Sequence, residues 1–90
     1  MLIIAYDISD DKLRSRFAKL LSKHGYRLQY SLFEIKNSQR ILNNIMVDIA
    51  TDFEPEFDQR DSIIILNLSK QCKITRYGYA KNDDEELIIV

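Results

Sequence analysis

One carboxylate and a short file of cations carry most of the chemistry this sequence could perform. Asp7 closes an apolar run, Leu2–Tyr6, where strand packing gives no reason for an acid. Two readings are open. A strand-end aspartate accepts backbone N–H groups in a turn. A hard-oxygen ligand binds Mg²⁺ or Mn²⁺, and one or two carboxylates are enough because the ion keeps several waters. One such Asp per chain in a two-fold dimer would set two carboxylates about the axis. An ion held there would lower the pKa of a water and neutralise charge on a phosphoryl oxygen.

Cations follow at once. Lys12, Arg16, Lys19 and Lys23 recur at helical spacing and make one basic ridge, which phosphate would suit. Arg14 stands about 200° around the helix from Arg16, so the two cannot do the same job. Solvated helix charge accounts for all five without a ligand. Arg27 and Ser31 share one parity of a later strand, opposite Leu28 and Tyr30. Phosphate contact and plain surface are both open for that pair. Tyr30 and Phe33 could stack on bases, but core packing is the expectation for both. His24 is the only histidine, so one chain cannot hold a two-histidine acid–base pair. Cys72 is the only cysteine and has no neighbouring histidine, which points to a structural role. The only glycines are Gly25 and Gly78, so no phosphate-cradling glycine loop exists.

The elements that would position these residues are readable in outline. Leu2–Tyr6 has the β-branched and aromatic character of a strand. Ser9, Asp10 and Asp11 offer cap oxygens for a helix carrying Leu13, Phe17, Leu20, Leu21 and His24 on one stripe, with Gly25 as its stop. In "RLQYSLFEI", residues 27–35, the alternation changes phase at Leu32–Phe33, which means either a bulge or a break between two short strands. Ser38 can cap a second helix, with Ile41, Ile45 and Ile49 on a stripe beside Leu42 and Met46. Residues 52–61, "DFEPEFDQRD", read as an acidic loop in which Pro55 stops helical continuation. Strands are expected at Ile63–Leu68 and Lys73–Tyr79, with a turn at Ser69–Gln71 between them. A charged linker, Lys81–Glu86, leads to a short apolar tail of Leu87, Ile88, Ile89 and Val90. Two helices on one face of a mostly antiparallel sheet is the economical α+β packing. The tail needs a sheet edge, and exchange between two copies would provide one.

Composition bounds the class. Ninety residues make one domain, 1–90, with a core over 1–80 and the linker and tail over 81–90. At 46% hydrophobic and 30% charged the chain is globular, not disordered. A chain this short buries only roughly 60–65% of its unfolded surface, so a partner would help it. Apolar runs such as Ile63–Leu66 are too short to span a membrane, and neither a basic leader nor a signal pattern is visible. The cytoplasm is the expected compartment. The net charge of −1 hides a polarity: +4 over residues 1–45 and −5 over residues 46–90. A local basic face is therefore compatible with an acidic chain.

"YDISDDKLRSR" at 6–16, followed by "RLQYSLFEI" at 27–35, resembles the small CRISPR-associated nuclease family called Cas-two, the partner of the spacer integrase. The likeness also takes in the chain length, the "NLSKQC" stretch and the short apolar tail. It implies a ferredoxin-like sandwich, strands on both sides of Ser31, and a homodimer with the two copies of Asp7 facing across one Mg²⁺ or Mn²⁺. It implies that Tyr6, Asp7, Arg14, Arg16, Arg27, Ser31 and Phe33 serve metal, phosphate or cleft structure. In function it implies metal-dependent cleavage of single-stranded RNA or double-stranded DNA, the bridging of integrase dimers on spacer DNA during antiviral spacer acquisition, or both. The acids of 52–61 and "NDDEE" would repel phosphate, so they are expected to face away from DNA or to meet the integrase. Three alternatives remain beside a nuclease: a DNA-bridging adaptor without chemistry, a stand-alone toxin-type endoribonuclease of the virulence-associated D family, and a ferredoxin-like small-molecule regulator.

Overall fold

A computed structural model of the chain describes residues 1–68 and 73–78. The element order is β1 (Leu2–Asp7), α1 (Asp11–Ser22), β2 (Gly25–Gln29), β3 (Leu32–Ile35), α2 (Gln39–Asp48), β4 (Ser62–Asn67) and β5 (Lys73–Gly78). The sheet runs β2-β3-β1-β4-β5, and every neighbouring pair is antiparallel. β1 and β2 thus run parallel with β3 between them, joined by the α1 crossover. With β4 on the other side of β1, this is the ferredoxin-like arrangement, extended by β5. The expected turn at Ser69–Gln71, Cys72, the linker and the Leu87–Val90 tail lie outside the described residues.

Local chemistry explains the helices. The Asp10 side chain accepts the Leu13 N–H at 2.8 Å and caps α1, while Asp11 sits in its positive first turn. Ser38 accepts the Ile41 N–H at 3.3 Å and caps α2 in the same way. Leu13, Phe17 and Leu21 on α1, and Leu42 and Ile45 on α2, are buried against the sheet. The strands answer with Leu2, Ile4 and Tyr6 of β1, Phe33 and Ile35 of β3, and Ile63 and Ile65 of β4. Phe17 is the hinge of this core. Its ring meets Tyr6 edge-on at 5.1 Å and Phe53 at 5.0 Å, and Tyr6 in turn stacks on Phe33 at 6.2 Å. Phe17→Ala should therefore cost about 3–5 kcal/mol, a large share of what a domain this size has. Urea unfolding followed by circular dichroism checks it; a midpoint shift worth under about 1 kcal/mol would contradict the packing described.

One open reading is settled and three expectations are corrected. Residues 27–35 are two strands on either side of Ser31, as the resemblance implies, because Tyr30 and Ser31 form a turn and the β2–β3 register slips between Arg27 and Gln29. Gly25 is not a left-handed helix stop. The helix ends on Lys23, and Gly25 opens β2, where a Cβ would lie 2.0 Å from the Glu34 carbonyl oxygen. Tyr30 is 92% exposed on the turn, not in the core, whereas Phe33 is buried as expected. The segment after α2 is not an open loop: a π-helical turn, Ile49–Phe53, and a 3₁₀ turn, Glu54–Glu56, continue it. Ile49 and Phe53 are buried, and their packing outweighs the acids between them.

The second face of the sheet carries an apolar patch, with Glu34, Ser62 and Arg76 on the same parity. Ile3, Ala5, Leu32, Ile64, Leu66 and Ile74 share one parity through the register of β1, β3, β4 and β5. Ile3 is buried yet stands outside the helix-side core. Asp7 lies on this second face, at the end of β1 and opposite Ser62.

Candidate acidic centre and nucleic-acid interface

Asp7 is exposed, while its neighbours Tyr6 and Ile8 are buried. The strand's alternation turns Tyr6 to the helices and Asp7 away from them. Among the described residues the Asp7 carboxylate has no hydrogen bond and no ion pair. The turn-aspartate reading needs backbone donors, and among the described residues Asp7 has none. The carboxylate that caps is Asp10, and the one that takes backbone donors beside Asp7 is Asp61.

Asp61 was not singled out in the sequence. It is 1% exposed, yet its Oδ1 accepts the Ser9 N–H at 2.9 Å and lies 2.9 Å from the Ser9 hydroxyl. Its Oδ2 accepts the Asp58 N–H at 3.0 Å. Asp58 Oδ2 is also 3.0 Å from the Ser9 hydroxyl, whose single proton both carboxylates can reach. The backbone N–H of Arg60, at 2.7 Å, holds the Asp58 carboxyl below its ordinary value of 3.8. The Ser9 hydroxyl and the Arg60 guanidinium act in the same direction, and desolvation opposes them. A carboxyl depressed on folding contributes fully above its unfolded pKa, and the contribution is lost as pH falls through the folded one. The Arg60 amide, which Asp58 accepts, should thus stay protected from exchange at neutral pH and lose that protection only below pH 3.8. Loss of protection between pH 5 and 7 would contradict the assignment.

The arginines divide as their spacing requires. Arg14 turns back to the end of β1: its Nη1 donates to the Ile8 carbonyl at 3.1 Å, and its Nη2 pairs with Asp11. Arg16 points to the acidic segment, pairing with Glu56 at 3.3 Å and lying 5.4 Å from the Phe53 ring centre. Arg27 lies over the Phe33 ring at 5.1 Å. Tyr6, Arg14, Arg27, Tyr30 and Ser31 line a pocket of about 260 Å³ at the β2 side of the sheet. Tyr6 braces it, since its N–H donates to the Ser31 carbonyl at 3.1 Å and its hydroxyl reaches the Tyr30 carbonyl at 3.4 Å. Lys12 and Lys19 are exposed on α1.

The predicted residues therefore form two groups. Arg14, Arg27 and Ser31 gather beside Tyr6 on the helix side of the β1 end. Lys12, Arg16 and Lys19 form the ridge on α1, in the layer opposite the Asp7 face. The acidic segment does not turn away from that ridge. Asp48 and Asp52 share a groove of about 280 Å³ with Arg16, Lys19 and Lys23, and Glu56 holds Arg16. A helix-spaced acid run ahead of the 3₁₀ turn was the available signal, and Pro55 obscured it.

A family model for the CRISPR associated protein Cas2 matches residues 1–76. The chain belongs to the Cas2 family. It is 31% identical to a Methanospirillum hungatei protein called CRISPR-associated endoribonuclease Cas2 2, over 98% of this chain and 97% of that one. It is 38% identical to the CRISPR-associated endoribonuclease Cas2 1 of Archaeoglobus fulgidus, over 81% and 76% of the two chains. Among solved structures, a hypothetical protein TT1823 from Thermus thermophilus superposes with a TM-score of 0.63 at 30% identity, covering 76% of this chain and 79% of that one. Family membership and topology agree. Among the described residues no three His, Cys, Asp or Glu side chains gather as a metal cluster, and no helix is long and apolar enough to cross a membrane.

Proposed function

We propose that this Cas2 is a homodimeric, metal-dependent nuclease acting in CRISPR spacer acquisition, with RNA or DNA phosphodiesters as substrate. The single observation that carries this reading is the exposed carboxylate of Asp7, unengaged among the described residues, at the rim of a sheet face with an apolar patch. Hard oxygen donors with no competing partner fit Mg²⁺ or Mn²⁺, and one such ligand per chain calls for a second chain. Two copies meeting on the face of Ile3, Ala5, Ile64 and Leu66 would bury it isologously and bring both Asp7 residues to one axis. A bound ion would supply charge neutralisation at the phosphoryl oxygen and a more acidic water.

The chain's own residues do the rest. Arg14 braces the Ile8 carbonyl and so fixes the backbone just beyond Asp7. Arg27, held over the Phe33 ring, can offer N–H groups to phosphate oxygens. Ser31 offers a hydroxyl in the same pocket, and Tyr6 holds that turn in place. Cleavage by the purified protein with Mg²⁺ or Mn²⁺ should vanish in Asp7→Ala; undiminished cleavage by that variant would remove the metal role.

A second reading rests on a different observation. The ridge of Lys12, Arg16 and Lys19 lies in the helix layer, away from Asp7, so DNA held there is not delivered to the same chain's carboxylate. This favours an added role as an adaptor that supports spacer DNA between integrase dimers without chemistry. Charge reversal along the ridge should then abolish spacer acquisition while Asp7→Ala spares it. Glu56 tunes the same surface. Glu56→Gln should raise nucleic-acid affinity about two- to fivefold at low salt by releasing Arg16, an exposed pair worth about 0.2–1 kcal/mol. The gain should shrink as salt rises. Filter binding across a salt series checks it, and lower affinity in the variant would contradict the competition.

A further inference from the structure

We propose that Asp61 is a positioning residue for Asp7, fixing the metal-binding geometry of a carboxylate it does not touch. The inference rests on the reading of Asp7 as a metal ligand. Among the described residues Asp61 is the one polar or charged side chain that is buried. A buried carboxylate is costly unless donors satisfy it, and here they do. It takes the Ser9 N–H and hydroxyl on Oδ1 and the Asp58 N–H on Oδ2. Ser9 is two residues beyond Asp7, and Ser62, next to Asp61, is the strand partner of Asp7. Asp61 therefore ties the chain on both sides of Asp7: through the β1–β4 pairing and through the loop that leaves β1. Arg14 grips the same loop at the Ile8 carbonyl. The far side is closed as well. Gly78 lies opposite Ser62, and a Cβ there would come 2.1 Å from the Asp61 carbonyl oxygen.

The donor set explains why the residue must be an acid. A backbone N–H donor meets each of the two oxygens, so only an acceptor at both satisfies them. Asparagine in either orientation sets its NH₂ against the Ser9 pair or against the Asp58 N–H. The loop would then shift and carry Asp7 with it. An ion shared by two chains feels this strongly, because Mg²⁺ accepts little departure from ligand distances of about 2.0–2.1 Å. Outer partners that orient metal ligands typically affect affinity about 10–100-fold.

The test is Mn²⁺ binding to the full-length protein, read by electron paramagnetic resonance, beside cleavage assays. Asp61→Asn should keep its fold and association state by circular dichroism and gel filtration while its Mn²⁺ dissociation constant rises about 10–100-fold. Ile45→Val, which loosens the core far from Ser9, should leave Mn²⁺ affinity unchanged. If Asp61→Asn fails to fold, Ser9→Ala takes its place and should weaken Mn²⁺ binding at least about threefold by removing one hydrogen bond. Unchanged Mn²⁺ affinity in the folded Asp61 or Ser9 variant overturns the proposal, as does an equal loss in Ile45→Val. Asp7→Ala in the same assay separates the two levels. Full Mn²⁺ affinity there removes the metal reading itself; lost affinity there with none lost in Asp61→Asn removes the positioning role alone.

Discussion

Asp7→Ala should lower metal-dependent cleavage by about 10³-fold or more while leaving the fold intact. The size follows from what the carboxylate is asked to supply. Lewis-acid stabilisation of a phosphoryl transition state is worth several kcal/mol, and about 4 kcal/mol is a thousandfold in rate. In the proposed dimer, removing one Asp7 per chain would remove both protein ligands of the shared ion at once. Stability should change little, because Asp7 is exposed and has no partner among the described residues whose loss would leave a buried group unsatisfied. Asp7→Asn is the more discriminating variant: it keeps the volume and removes the charge. Single-turnover cleavage of labelled RNA and duplex DNA, with and without Mn²⁺, measures both. A drop of less than tenfold in either variant would place the chemistry elsewhere.

Ile64→Lys should dissociate the proposed dimer and take the proposed metal binding with it. Ile64 sits in the middle of the second sheet face, paired with Ala5 on one side and Arg76 on the other. In an isologous interface each substitution counts twice. Losing about 2 kcal/mol of burial per copy comes to about 4 kcal/mol, and desolvating the new ammonium adds to it. The dissociation constant should rise by at least about 10³-fold. Analytical ultracentrifugation over a concentration series reads this directly. The variant monomer should stay folded, because Ile64 lies outside the helix-side core. A dimer of unchanged affinity would mean that the copies meet elsewhere, and Asp7 would then need a different second ligand.

The sequence made some of this legible and hid the rest for identifiable reasons. Leu13, Phe17 and Leu21 fall at helical spacing behind a capping acid, so α1 needed no tertiary knowledge. The end of β1 was visible because a carboxylate after five apolar positions breaks the pattern of a strand. The 27–35 hairpin was not resolvable: its turn at Tyr30–Ser31 contains no glycine or Asn-Gly pair, so phase alone had to distinguish a bulge from a break. The structure contains both, a register slip within β2 and then a turn. Gly25 was misjudged because a glycine after a helix ordinarily means a left-handed stop; here the constraint comes from the Glu34 carbonyl on the neighbouring strand. Asp61 left no local trace. An acid at the end of an acidic stretch, before an apolar strand, reads as a solvated turn residue, and its burial depends on Ser9, 52 positions away. The acidic segment followed the same rule: Ile49 and Phe53 bury it against α1, and that contact sets Glu56 on Arg16.

The most direct measurement is a crystal structure of the protein grown with Mn²⁺ and located by anomalous scattering. One Mn²⁺ per dimer is expected on the two-fold axis, with an Asp7 oxygen from each chain at about 2.0–2.3 Å. An ion bound away from Asp7, or two copies packed so that their Asp7 carboxylates lie on opposite ends of the assembly, would contradict that arrangement.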